Sequence, residues 1–192
     1  MQGCTKIIVL CGPSGCGKDT LRTALANNGA TRIITYTTRR PRNGERDGVD
    51  YNFVDSETFV RMKDSGEMVE GRAYESSVGT CYFGSKKVPD DGGLYVVVLD
   101  DGGVRDYKRA YGDNALSVFL DMPAEIRRER AFARNSEDSD AFSAEWGKRA
   151  ADDDARFSEE FIREYVDVVI RMTEHTTVDE EVELVMNALR RQ

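Results

Sequence analysis

A chain of 192 residues, 40% hydrophobic and 32% charged, is long enough for one globular domain with small lobes and is too apolar to stay disordered. Its net charge of −8 argues against a general binder of nucleic acid or anionic membranes, so any anion site has to be local. No stretch reaches the roughly 20 apolar residues of a membrane helix and the N-terminus lacks a signal-peptide core, which together give a cytoplasmic expectation.

Lys6 to Leu10 is an apolar run of strand type that enters Cys11-Gly12-Pro13-Ser14-Gly15-Cys16-Gly17-Lys18-Asp19-Thr20 and leaves into a helix expected over Asp19 to Asn28, with Gly29 as its stop. Gly12, Gly17 and Lys18 fit G-x-x-x-x-G-K, a loop whose backbone N–H groups wrap a phosphate at a helix N-terminus. Gly12, Pro13, Ser14, Gly15, Cys16, Gly17, Lys18, Asp19 and Thr20 are therefore the expected binders of the ATP phosphates. Lys18 bridges the terminal phosphates in this reading and neutralises charge on the transferred group. The pattern calls for Ser or Thr after Lys18, to hold Mg²⁺, but Asp19 stands there with Thr20 next. A carboxylate is a hard-cation ligand, so Asp19 either holds the metal or simply favours the positive end of the helix. Cys11 and Cys16 lie in or beside the loop, while Cys4 and Cys81 have no metal-like spacing, so reduced thiols without a catalytic task are expected.

A short strand is expected over Thr31 to Thr35, followed by Thr35-Tyr36-Thr37-Thr38-Arg39-Arg40-Pro41-Arg42-Asn43-Gly44-Glu45, where arginines crowd among turn formers in an otherwise acidic chain. Such a loop presents guanidinium forks to a phosphate. From Thr37 to Phe53 the sequence reads T-T-R-x-P-R-x-G-E-x-x-G-x-x-Y-x-F, and in this run it resembles guanylate kinases, with Thr35 for the family's leading Ser. The resemblance implies that Arg39, Arg42 and Tyr51 hold the phosphate of an acceptor nucleotide, with Glu45 the family's loop carboxylate and Thr35 beside the guanine base. It extends through a helix expected over Ser56 to Ser65 into Glu70, which matches the carboxylate that accepts from guanine N1–H and its exocyclic amine. Tyr82-Phe83-Gly84-Ser85 resembles the family's Y-Y-G-S/T, which implies Tyr82 on the acceptor phosphate and Ser85 on the base.

Gly93 to Asp100 is a continuous apolar run ending in an acid, as a buried parallel strand would, with its end among the ligand-binding loops. The family's D-x-D is reduced here to Asp100, with Val98 in the first position, and Asp100 is expected at guanine or in the metal shell. An acid lost at 98 and gained at Asp19 suggests that charge around the metal is kept but moved. Ala115 to Asp121 is a further strand, and Met122-Pro123 opens a helix. Arg127, Arg128, Arg130, Arg134 and Arg149 surround an acidic segment that resembles the family's lid, which implies donor-phosphate contacts for Arg130, Arg134 and Arg149. Val166 to Ile170 is the last strand and Val178 to Leu189 an amphipathic closing helix. The family Asn beside adenine falls near Met172, and His175 reads as a surface residue; phosphoryl transfer of this kind needs no histidine.

The expected fold is an α/β, three-layer P-loop architecture with a parallel sheet, comprising a core (1–33, 90–125, 151–192), an acceptor-binding lobe (34–89) and a lid (126–150). The expected activity is Mg²⁺-dependent transfer of the ATP terminal phosphate to GMP or dGMP by a monomer or homodimer that binds nucleotides but neither nucleic acid nor membranes. Two alternatives stand beside it. One is a P-loop kinase of another phosphorylated acceptor, such as ribose 1,5-bisphosphate or a modified nucleotide; the other is a guanylate-kinase-like domain that binds protein partners without catalysis.

Overall fold

The computed structural model describes residues 4–76, 79–134 and 139–192, with side chains throughout except at 76, 134 and 139–145. Five parallel strands form the main sheet in the order β2-β7-β1-β8-β9: β1 Lys6–Cys11, β2 Thr31–Arg32, β7 Leu94–Val98, β8 Ala115–Asp121 and β9 Val168–Arg171. β1 is central, with Ile8 opposite Val96 on one side and Leu116 on the other. Both faces of such a strand are covered, which is why β1 and β7 read as continuous apolar runs instead of alternating ones.

Alternation along these strands divides the interior in two. Ile8, Leu10, Val96, Val118 and Leu120 pack with Leu21 and Leu25 of α1 (Lys18–Asn27) and with Val182 and Val185 of α7 (Val178–Leu189). Ile7, Val9, Val97 and Phe119 pack on the other face with Val104 and Tyr107 of α3 (Asp101–Tyr111) and Phe161 of α6 (Glu159–Tyr165). The result is the expected three-layer α/β/α arrangement. α7 begins with a full capping box, in which the Thr177 side chain and Glu180 each satisfy the other's backbone N–H.

A second sheet, ordered β4-β3-β6-β5, is built from β3 Tyr36–Thr37, β4 Asn52–Phe53, β5 Met68–Ser76 and β6 Gly79–Lys86. α2 (Ser56–Asp64), capped by the Asp55 side chain on Thr58 N–H, places Phe59 against it. α4 (Ala124–Arg134) and α5 (Ser139–Arg156) complete the chain. Most expected boundaries fall within two residues of those observed. The strand expected over Thr31 to Thr35 is shorter, ending at Arg32, and α3 was not anticipated, because Gly102 and Gly103 in its first turn are poor helix formers. Tertiary packing overrides that propensity: Asp100 caps the helix by accepting from Gly103 N–H at 2.7 Å, and Val104 and Tyr107 are fully buried.

Phe161 is 1% exposed and contacts Phe157 and Tyr165 with ring centroids 5.7 Å away in each case. Phe161→Ala is expected to lower the stability by about 3–5 kcal/mol and Phe161→Leu by about 1 kcal/mol, read from denaturant midpoints at unchanged slope.

Candidate active site

β1 ends in the loop Gly12–Gly17, which lies at the C-terminal edge of the parallel sheet. Gly12 has φ +139°, and a Cβ there would stand 2.8 Å from the Leu120 carbonyl oxygen, so the loop and the end of β8 meet as backbone against backbone. Lys18 opens α1 and its Nζ donates to the Gly12 and Pro13 carbonyls at 2.7 and 2.8 Å. Its third proton points to Cys16 Sγ at 3.7 Å, a weak acceptor that a phosphate oxygen would readily replace. Cys11 and Cys16 are buried here; burial pushes the Cys11 thiol up to about 12 and raises that of Cys16, which keeps both thiols protonated at neutral pH. None of the four cysteines is paired with another.

A cavity of about 670 Å³ opens in front of this loop, lined by Gly12, Ser14 and Lys18 on one side and by Thr35, Arg42, Tyr51 and Glu70 on the other. Asp100 and Arg149 also reach it. Of the residues expected at an acceptor or donor site, these are therefore brought together. Arg130 approaches from α4, with its Nη1 3.8 Å from where a Gly17 Cβ would stand, and Met172 lies at the same point, 4.0 Å away. The Arg134 side chain, expected on the donor phosphates, lies outside the described residues.

The arginine loop has its own staple. Glu45 accepts both Nη groups of Arg39 at 2.9 Å and the Arg42 backbone N–H at 2.7 Å. The Arg39 fork holds the Glu45 carboxyl below its ordinary range, and the same hydrogen bonds raise the Arg39 guanidinium. Arg39 also lies over the rings of Tyr51 and Phe53, at 5.4 and 5.9 Å from their centroids. Glu45 thus acts by fixing the loop.

At the far end of the cavity, Glu70 is 8% exposed, and burial pushes its carboxyl up to about 7. Its Oε1 accepts from Ser85 Oγ at 3.0 Å, and Ser85 Oγ accepts from Tyr107 O–H at 2.8 Å, so the Ser85 hydroxyl works through Glu70.

Two of the expected residues have partners that the sequence did not suggest. Tyr82 does not face the cavity: its ring stacks on Phe59 of α2 at 5.4 Å, and the neighbouring Phe83 lines the cavity in its place, against Tyr51 and Tyr74. Strand alternation sends adjacent residues to opposite faces, and Phe83 has no hydroxyl to give a phosphate. Asp100 is heavily engaged. Its carboxylate accepts from Gly103 N–H and Tyr74 O–H and stands 3.9 Å from Arg72 Nε, a set of donors that suits a helix cap better than a metal ligand. Asp19, by contrast, is 79% exposed in its side chain and pairs with Arg22 at 2.9 Å. Magnesium needs only one or two carboxylates beside phosphates and water, but Asp19 is not among the residues that line the cavity, and the described residues hold no cluster of three or more candidate ligands.

Sequence reasoning missed Arg72, Tyr74 and, beside the expected Arg149, the rest of one face of α5. Arg149, Asp152, Asp153 and Arg156 line the cavity at helical spacing, and Asp153 Oδ2 accepts the Ser14 backbone N–H at 2.7 Å. Arg127, 5% exposed, stands behind that contact, 4.0 Å from Asp153 and donating to the Met122 carbonyl. The i, i+4 spacing of Asp153 from Arg149 was the available signal; Arg72 and Tyr74 follow from Glu70 by the period of two. No helix among the described residues is long and apolar enough to cross a membrane.

Comparison with known proteins agrees with this geometry. The family model described as guanylate kinase matches residues 4–191. The guanylate kinase of Anaplasma phagocytophilum is 32% identical over 72% of this chain and 68% of its own length, and that of Chlorobium chlorochromatii is 28% identical over 95% of both. A crystal structure of the Anaplasma phagocytophilum guanylate kinase superposes with a TM-score of 0.65 at 24% identity, covering 99% of this chain and 87% of that one, which supports the fold. A phosphate loop, an arginine loop and a buried carboxylate around one cavity, carried by a sequence matched from residue 4 to residue 191, mean that the chain belongs to the guanylate kinase family.

Proposed function

We propose that the chain transfers the terminal phosphate of ATP, as its Mg²⁺ complex, to the phosphate of GMP or dGMP by in-line displacement. The observation that carries this reading is that Lys18 and the loop Gly12–Gly17 share one cavity with Arg42, Tyr51 and Glu70. Phosphoryl transfer of this type depends on positioning and charge neutralisation, and these side chains supply both.

In this reading the loop N–H groups and Lys18 hold the donor phosphates, with Arg130, Arg134 and Arg149 adding cationic charge as residues 126–150 close over the core. Arg42 and Tyr51 hold the acceptor phosphate, Arg39 is fixed beside them by Glu45, and residues 34–89 act as the acceptor lobe. The ionised Glu70, with acceptors and no donor, takes the N1–H and amine of guanine, while Thr35 flanks the base. Magnesium, when bound, shields the phosphate oxygens, and Asp19, next to Lys18 in the chain, would hold it directly or through water. Lid closure excludes water that would otherwise take the phosphate.

ADP release from Mg·ATP is expected with GMP or dGMP, and not with AMP, dTMP or ribose 1,5-bisphosphate; turnover with the sugar phosphate alone would refute the reading. Lys18→Met is expected to lower kcat by at least about 100-fold.

Glu70 gives a pH signature. Its carboxyl ionises near 7, and only the ionised form complements guanine, so the KM for GMP is expected to fall as pH rises from 6 to 8, by up to about tenfold per unit below 7. Glu70→Gln should raise that KM and remove this slope, while the slope due to the phosphate of GMP itself survives in the variant.

Asp153 offers a carboxylate to the same Ser14 N–H that faces the donor phosphates. Asp153→Asn is therefore expected to lower the KM for ATP several-fold and leave the KM for GMP unchanged, as measured by initial rates; a raised KM for ATP would mean that Asp153 supports the loop instead.

A further inference from the structure

β5 sends Glu70, Arg72 and Tyr74 to one face, towards α3 and the cavity. Arg72 has an unusual setting there. Its Nη1 donates to Glu70 Oε2 at 3.0 Å and its Nη2 to Asp106 Oδ2 at 2.6 Å, with Nε 3.9 Å from Asp100 Oδ1. The backbone of α3 is cleared for it: a Cβ on Gly102 would stand 2.4 Å from Arg72 Nε and 2.7 Å from its Cζ. The guanidinium is thus laid across the helix and held by carboxylates from two elements. It is nonetheless a quarter exposed and lines the cavity.

Hydrogen-bond arithmetic leaves both partners with capacity. A guanidinium has five N–H donors, of which Glu70 and Asp106 take one each. A carboxylate has about four acceptor positions, and Ser85 and Arg72 take one on each oxygen of Glu70. A donor and an acceptor therefore stand side by side on the cavity wall, locked together by their own 3.0 Å contact. The guanine edge carries the complementary pair, the O6 acceptor next to the N1–H donor. Adenine reverses it, with an amine donor next to a bare N1. Arginine on guanine O6 is a favoured pairing wherever proteins read that edge.

We propose that Arg72 is a specificity-determining residue of the acceptor site, its guanidinium donating to the 6-oxo group of the purine while Glu70 accepts from N1–H. The inference rests on the guanine acceptor proposed above. Against adenine the guanidinium faces an amine, donor to donor, and the unmatched pair loses its hydrogen bonds to water without replacement. The competing role is purely structural, a clamp that joins β5 to α3 through Asp106 and tempers the repulsion among Glu70, Asp100 and Asp106.

The two roles separate with 6-thio-GMP, which keeps N1–H and the 2-amino group and replaces the 6-oxo oxygen with a much weaker acceptor. Initial rates of ADP release are measured with GMP and 6-thio-GMP for the wild-type chain, Arg72→Met and Arg72→Lys. The wild type is expected to favour GMP in kcat/KM by about 10- to 100-fold, Arg72→Met to favour it less than about threefold, and Arg72→Lys, which keeps a donor, to fall between. If Arg72→Met does not fold, Arg72→Lys and Arg72→Gln decide by the same ratio. An equal loss on both acceptors with the ratio preserved would overturn the inference and leave Arg72 a clamp. No turnover of GMP by the wild-type chain would instead overturn the guanine reading itself, and this inference with it.

Discussion

The position of β1 constrains everything else in the molecule. It lies between β7 and β8 in a parallel sheet and is covered on both faces, so Ile7, Ile8, Val9 and Leu10 are all at most 1% exposed. A strand packed on four sides cannot shift register without exposing one of the two cores, and its C-terminal end is therefore fixed in space. The loop Gly12–Gly17 inherits that fixity. It turns directly against the backbone of Leu120 and delivers Lys18 to the first turn of α1, which Leu21 and Leu25 anchor in the core. Packing energy from the interior thus sets the placement of an anion-binding loop whose own contacts are few.

Electrostatics explain how such a loop survives in a chain of net charge −8. The molecule partners its anion-seeking groups with its own carboxylates: Asp153 on the Ser14 N–H, Glu45 on Arg39 and on the Arg42 N–H, and Glu70, Asp100 and Asp106 around Arg72. On the proposed reading these pairs would differ in what a phosphate does to them. Glu45 holds Arg39 within its own loop, so an incoming phosphate would add to the pair. Asp153 occupies the Ser14 N–H, so an incoming phosphate would compete with it. The same kind of interaction would act as a staple in one place and as a rival in the other, according to whether it stays within its loop or takes the donor that a phosphate would use.

Legibility followed the range of the interactions. The phosphate loop, β1, β8 and α7 were readable because local pattern and tertiary role agree there: glycines where the backbone turns sharply, unbroken apolar runs where both sheet faces are covered, and an amphipathic period from Val178 to Leu189. α3 was not readable, since its first turn contains two glycines whose use is to admit neighbours, Arg72 at Gly102 and Leu99 at Gly103. The exchange of Tyr82 for Phe83 has the same origin. A motif fixes the order of residues along a strand, but the face each one takes depends on pairing with β5, which shifts register between Met68 and Glu70. Asp153 and Arg72 act across the fold, 139 residues from Ser14 and 34 from Asp106, so local spacing places them on the right face but does not show their partners.

Val98 is consistent with the company that Arg72 keeps. It stands on the cavity wall with Glu70, Arg72 and Asp100, where one guanidinium already answers three carboxylates. A fourth carboxylate at position 98 would add repulsion to a site in which burial already pushes Glu70 up to about 7. An apolar side chain there avoids that repulsion and leaves Asp100 to its work as the cap of α3. Asp19, in the first turn of α1, is exposed and paired with Arg22, where a carboxylate meets water and the positive end of the helix. Acid at 19 and none at 98 is thus a distribution that puts negative charge at the helix terminus and adds none to the carboxylates already gathered around Arg72.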